Sequence, residues 1–162
     1  MRHAKSDWDA SHSSDHERPL NDRGVRSARL MGRLISSLDL VPDHVISSTA
    51  VRARTTAALA SDAGSWQTRI ELQGDLYGTG PETVLRVIEA VVDAQRLMLV
   101  GHQPTWAMLV NRLTGAVVDM KTASVATVEF MIESWSDVSS TQGILTSLIH
   151  PRPFFGTQWD LS

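Results

Sequence analysis

The strongest constraint on how this 162-residue chain can fold is a junction that occurs twice: a short apolar run stops at a sharp turn and passes directly into a segment of helical period. His44-Val45-Ile46-Ser47 leads into a helix predicted from about Ala50 to Asp62, with Gly64 as its stop. Arg96 to Val100 reads as a buried strand and leads through Gly101-His102-Gln103-Pro104 into a helix that runs to about Leu113, where Gly115 ends it. A strand that turns straight into a helix is the building block of a parallel sheet, because parallel neighbours need a long crossover between them.

The remaining segments agree. Asn21 can cap a helix in which Ala28, Met31, Leu34, Ile35 and Leu38 recur at spacings of three and four until Pro42 ends it. Arg69 to Gln73 is a further strand candidate, and Gly80-Pro81 opens a helix lined by Val84, Leu85, Ile88 and Val92. Val125, Thr127, Glu129, Met131 and Glu133 alternate with Ala126, Val128, Phe130 and Ile132, and Ile144 to Ile149 reads as the hairpin partner of that strand. The expected fold class is α/β, a three-layer α/β/α sandwich around a mostly parallel central sheet. One domain is expected over residues 1–150, since 162 residues with 42% hydrophobic side chains can bury one substantial core but not two. Residues 151–162 read as a loosely attached C-terminal tail despite Phe154, Phe155 and Trp159.

Composition narrows the chemistry. Fifteen Lys and Arg against 18 Asp and Glu give a net charge of −3, which supplies no field for nucleic acid or an anionic membrane, so any anion must be bound locally. The absence of cysteine removes disulfides, thiolate nucleophiles and Cys-based metal sites, and fits a reducing cytoplasm. No apolar run approaches the roughly 20 residues that span a bilayer. His12, His16 and His44 share no metal-ligand spacing with carboxylates, so no metal and no other cofactor is expected. Trp66, Trp106, Trp135 and Trp159 are not interleaved with a basic patch and read as packing residues.

In open α/β sheets ligands gather beyond the carboxyl ends of the strands. Three segments could meet there: Arg2-His3-Ala4-Lys5, Ser47-Ser48 through Arg52-Ala53-Arg54-Thr55, and Gly101-His102-Gln103-Pro104. Two imidazoles and two or more guanidiniums on one rim suit a phosphoryl group, because arginine grips its oxygens with paired hydrogen bonds and a neutral imidazole nitrogen can attack phosphorus. The cations that neutralise the transferring oxygens are then the protein's own, and the design requires no metal.

The same stretches, with His16-Glu17-Arg18-Pro19-Leu20-Asn21-Asp22-Arg23-Gly24 and Ser47-Ser48-Thr49-Ala50-Val51-Arg52-Ala53-Arg54-Thr55-Thr56 between them, resemble the SixA-like phosphohistidine phosphatase branch of the histidine phosphatase superfamily, in order and over nearly the whole chain. The resemblance implies a phosphoglycerate mutase-like fold, with residues 1–150 a single histidine phosphatase domain. It implies that His3 attacks phosphorus and becomes phosphohistidine, that Arg2 and Arg52 clamp the non-bridging oxygens, and that His102 donates a hydrogen bond to them. Arg18 is expected to brace the phosphate or the loop that carries the motif. Two departures stand out. Relatives begin with an apolar strand before the Arg-His motif, whereas only Met1 precedes it here, so the first strand is expected to be truncated or absent before Arg2, with a misassigned start codon as the preferred explanation. Gly78 follows Leu76-Tyr77 where a carboxylate general acid often stands, and Glu82 lies a helical turn further on, so no acid is assigned. A phosphoramidate needs less help than an ester because its leaving imidazole can carry its own proton.

The expected activity is therefore that of a metal-independent cytoplasmic phosphatase acting through phosphohistidine on His3 and removing phosphate from protein phosphohistidine. A small phosphorylated metabolite, an ester or anhydride, is the rival substrate. A non-catalytic phosphate- or phosphoprotein-binding relative is the rival from a different class. Neither nucleic acid nor membrane is an expected partner, and a monomer is the default. The polar stretch from Ser6 to Arg18 is either a lid over the pocket or an ordinary surface loop.

Overall fold

A computed structural model describes residues 1–160, so Leu161 and Ser162 of the expected tail lie outside the described residues. The chain forms α1 (Asp22–Ser37), β1 (His44–Ser48), α2 (Val51–Ala63), β2 (Arg69–Gln73), α3 (Pro81–Glu89), β3 (Leu97–Val100), α4 (Thr105–Thr114), β4 (Val125–Glu129) and β5 (Ile144–Ile149). β1 lies between β2 and β3, parallel to both, and β4 pairs antiparallel with β5. Successive residues of β1 point to opposite faces. Val45 enters a core shared with Ala28, Met31, Leu34 and Ile35 of α1 and Ala53, Ala57 and Ala60 of α2. Ile46 enters a second core built from Val84, Leu85 and Ile88 of α3 and Trp106 and Leu109 of α4. The result is the α/β/α sandwich expected from the repeated strand–helix junction.

Met1 to His3 tie the two sheets together. Arg2 forms a parallel bridge to Gly101, the Met1 α-amino group donates to the Leu99 carbonyl at 2.7 Å, and the Arg2 amide donates to the Ser124 carbonyl at 3.0 Å. The expected short first strand is thus present as a single bridged residue between β3 and the start of β4. Below it a groove of about 770 Å³ separates the edges of those two strands, lined by Leu97, Met98 and Leu99 on one side and Val125 to Glu133 on the other. The alternation through Glu133 predicts a longer strand than β4, which ends at Glu129; Phe130 to Glu133 line the groove instead.

The tail is docked rather than loose. Phe154, Phe155 and Trp159 pack against the α1 side of the core, Arg26 grips the Asp160 carboxylate with Nε and Nη2, and Arg33 Nε donates to the Trp159 carbonyl. These partners lie more than 120 residues apart in sequence, and no periodicity within residues 151–162 encodes them. Among the described residues no helix is long and apolar enough to cross a membrane.

Candidate active site

The carboxyl ends of β1 and β3 deliver the side chains. Ser48 closes β1, Arg52 sits in the first turn of α2, and His102 follows Gly101 at the end of β3. Gly101 is required sterically, because a Cβ there would lie 2.3 Å from the Trp106 ring. His3 enters between them, its amide donating to the Gly101 carbonyl at 2.9 Å and its carbonyl accepting from the Ala123 amide at 3.1 Å. The His3 and His102 ring centroids are 5.1 Å apart.

Hydrogen bonds fix the chemistry of His3. Nδ1 lies 2.7 Å from the Ala4 carbonyl, which can only accept, so Nδ1 carries the proton and Nε2 carries the lone pair. Burial is the main reason the His3 pKa falls to about 3; the nearby His102, Arg52 and Arg2 push it the same way, against the Ala4 hydrogen bond. At neutral pH the ring is an uncharged base with its free nitrogen exposed to a partner.

His102 is neutral for related reasons. Burial, followed by the charge of Arg52, lowers its pKa to about 4. Its Nε2 is 2.9 Å from Ser48 Oγ, which accepts from the Ala50 amide at 3.3 Å. Ser48 Oγ can donate to Nε2 or accept from it, and the other ring nitrogen, Nδ1, is buried with no protein partner. Arg2 Nε and Arg52 Nε are buried without partners as well. An unmet buried polar group costs about 1–3 kcal/mol and more when charged, and the two guanidinium Nε–H groups beside the His3 ring are best explained by an anion that completes them.

Each buried neutral histidine links stability to pH. Because His3 and His102 resist protonation in the fold, the unfolded chain binds more protons below the ordinary histidine value of 6.5, and stability falls as pH drops toward 3–4. Unfolding by urea at pH 7 and pH 4.5 is expected to show a loss on the order of 5 kcal/mol, about half of it removed in His102→Gln. A flat profile would contradict the neutral-imidazole assignment.

The structure brings Arg2, His3, Arg52 and His102 together and sends the other candidates elsewhere. Arg54 is exposed. Arg18 is 5% exposed, with Nε and Nη2 on Asp15 Oδ1 at 3.2 and 2.7 Å and Nη1 on Ser6 Oγ at 2.5 Å. It braces the loop that carries His3. Glu82 Oε1 is 3.6 Å from Arg112 Nε on α4, with both side chains at least half exposed. Four residues to which sequence reasoning assigned no role line the same site: Ser48, Tyr77 and His16, which it mentioned, and Asp15, which it passed over. Asp15 accepts from Arg52 and Tyr77, Tyr77 stacks edge-on against His102 at 5.3 Å, and His16 does the same against Tyr77 at 4.9 Å. The Asp15–Glu17 turn of the segment from Ser6 to Arg18 therefore borders the site, seated on α2.

An α/β sandwich with paired histidines and arginines at the carboxyl edge of its parallel sheet offers the cations and ring nitrogens that suit a phosphoryl group. The comparisons make this specific. Residues 1–77 match the family model of the histidine phosphatase superfamily (branch 1), and the chain belongs to that superfamily. It is 34% identical to an uncharacterised protein of Mycobacterium leprae over 72% of each chain, and 40% identical to one of Mycobacterium tuberculosis over 67% of this chain and 66% of the relative. A solved structure from Nakamurella multipartitia, named as a candidate phosphohistidine phosphatase SixA, superposes with a TM-score of 0.82 at 28% identity and covers 93% of both chains. The fold is that of the SixA structures, and the superfamily supports a phosphatase.

Proposed function

We propose that this phosphatase removes phosphoryl groups from phosphohistidine on proteins, through a covalent phosphohistidine on its own His3. The observation that carries the reading is the neutral His3, with a free Nε2 beside three unpartnered buried nitrogens, two of them on guanidiniums. In the first step Nε2 forms a bond to phosphorus, and the phosphorus–nitrogen bond to the substrate imidazole breaks. That imidazole leaves neutral because its other nitrogen already holds a proton. Arg2, Arg52 and His102 Nδ1–H bind the oxygens as charge shifts among them. In the second step water attacks phosphorus, Nε2 recovers its electron pair, and phosphate departs with both protons of the water.

The substrate class follows from what could protonate a poorer leaving group. Asp15 stands nearest, yet its pKa is about 2: burial would raise it, but hydrogen bonds from Arg18 and Tyr77 and the charges of Arg52 and Arg18 outweigh burial. It is ionised at working pH and cannot serve as an acid. Glu82 is turned to Arg112 on the surface. A leaving imidazole needs neither. The cysteine-free chain supports a cytoplasmic setting, and the charge carried by Arg2 and Arg52 supports catalysis without a metal. The test is release of phosphate from a phosphohistidine peptide in the presence of EDTA, against aryl and sugar phosphates. Faster turnover of the peptide supports the reading. A preference for the esters, or binding without turnover of any of them, would replace it with one of its two rivals.

A further inference from the structure

Arginine has two faces that can each hold an oxyanion with a pair of parallel hydrogen bonds: the end formed by its two Nη atoms and the side formed by Nε and one Nη. The Arg52 guanidinium has its end occupied. Nη1 donates to the Asp15 carbonyl at 2.5 Å and Nη2 to Asp15 Oδ2 at 2.8 Å, whereas Nε is buried and unpartnered. The residue that takes the end is itself held by two further side chains. Arg18 binds Oδ1 with two nitrogens, and the Tyr77 hydroxyl donates to Oδ2 at 3.0 Å.

Taking the pocket as the phosphoryl site, we propose that Asp15 is a positioning residue that fixes Arg52 side-on, so that Nε faces the phosphoryl oxygens. The alternative arrangement is a plug, a carboxylate sitting where phosphate belongs. A plug would satisfy the buried Nε, and this one leaves it open. Expelling Asp15 would also strip the nearly buried Arg18 of its ion pair. Asp15 thus stays in place when substrate binds, and Arg52 lies between two anions, one permanent and one transferred. The sequence of α2 puts Arg52 at the rim; the loop two elements earlier decides which edge it presents.

The test reads oxyanion affinity and needs no substrate, so it is independent of whether phosphohistidine is what the enzyme cleaves. Tungstate binding by calorimetry is expected to weaken about tenfold in Asp15→Asn. Asp15→Glu, which keeps the carboxylate, should recover part of the loss. In an Arg52→Lys background the Asp15→Asn change should matter less than about twofold, because lysine has no side-on face to orient. With an active substrate the Asp15→Asn penalty should be constant from pH 5 to 8, since the carboxylate is ionised throughout. Tighter tungstate binding in Asp15→Asn would show a plug, and an equal penalty with and without Arg52 would show a merely structural loop; either result overturns the assignment.

Discussion

Replacing His3 with alanine is expected to lower kcat/KM by about four orders of magnitude while leaving tungstate bound, because in the proposed route the substitution removes the atom that bonds to phosphorus and keeps Arg2, Arg52 and His102. Two readouts make the result specific to covalent catalysis. The native protein, quenched in alkali during turnover, should carry an alkali-stable, acid-labile phosphoryl group, and His3→Ala should not. His3→Gln should fare no better than alanine, since an amide of similar size offers hydrogen bonds but no nucleophilic lone pair. The structure also predicts stability in the variant: His3 side-chain burial is modest in apolar area, and the backbone bonds of residue 3 to Gly101 and Ala123 do not depend on the ring. If turnover survives in His3→Ala, water attacks the substrate directly and the buried imidazole is a bystander.

The parts of this site that the sequence disclosed are those fixed by periodic elements. His102 and Arg52 follow strands and open helices, so a reading of β1–α2 and β3–α4 places both at the same edge before any side chain is known. Thr56 shows how a motif acquires a physical reason. It closes the Arg-Ala-x-x-Thr stretch, accepts from the Ala4 amide at 2.9 Å and donates to the Arg52 carbonyl at 2.6 Å, linking the nucleophile loop to the helix that carries the clamp. Asp15 gave no such signal. In Ser13-Ser14-Asp15-His16-Glu17 it is one acidic residue in a polar run, and its partner Arg52 lies 37 residues later. Its role exists only when both loops are closed on the same guanidinium. The tail was illegible for the same reason, since Arg26, Arg33 and Asp160 find one another across the whole chain.

Gly24 shows the fold and the site sharing one joint. It lies in the first turn of α1, where its amide donates to the Asn21 cap at 2.9 Å, and an ideal Cβ there would stand 2.1 Å from the Lys5 carbonyl oxygen. That oxygen is backbone and already accepts from the Asn21 amide at 3.1 Å, so it cannot rotate away as a flexible side chain would. Gly24→Ala is therefore expected to destabilise the protein by about 3 kcal/mol, even though alanine is the better helix former by about 1 kcal/mol. In a chain of this size the loss corresponds to a fall in Tm of roughly 10 °C. Gly74→Ala, where a Cβ meets nothing within 4 Å, should change stability by no more than about 0.5 kcal/mol. The folded fraction of Gly24→Ala should also lose activity, because the Lys5 carbonyl can yield only by shifting the chain that runs back through Ala4 to His3. Denaturant melts of the three proteins, with turnover measured well below the transition, separate the two effects. A Gly24→Ala protein that melts within about 2 °C of the native one would mean that α1 and the nucleophile loop can part without cost, and the rigid seat of His3 would have to be sought in Gly101, Ala123 and Thr56 alone.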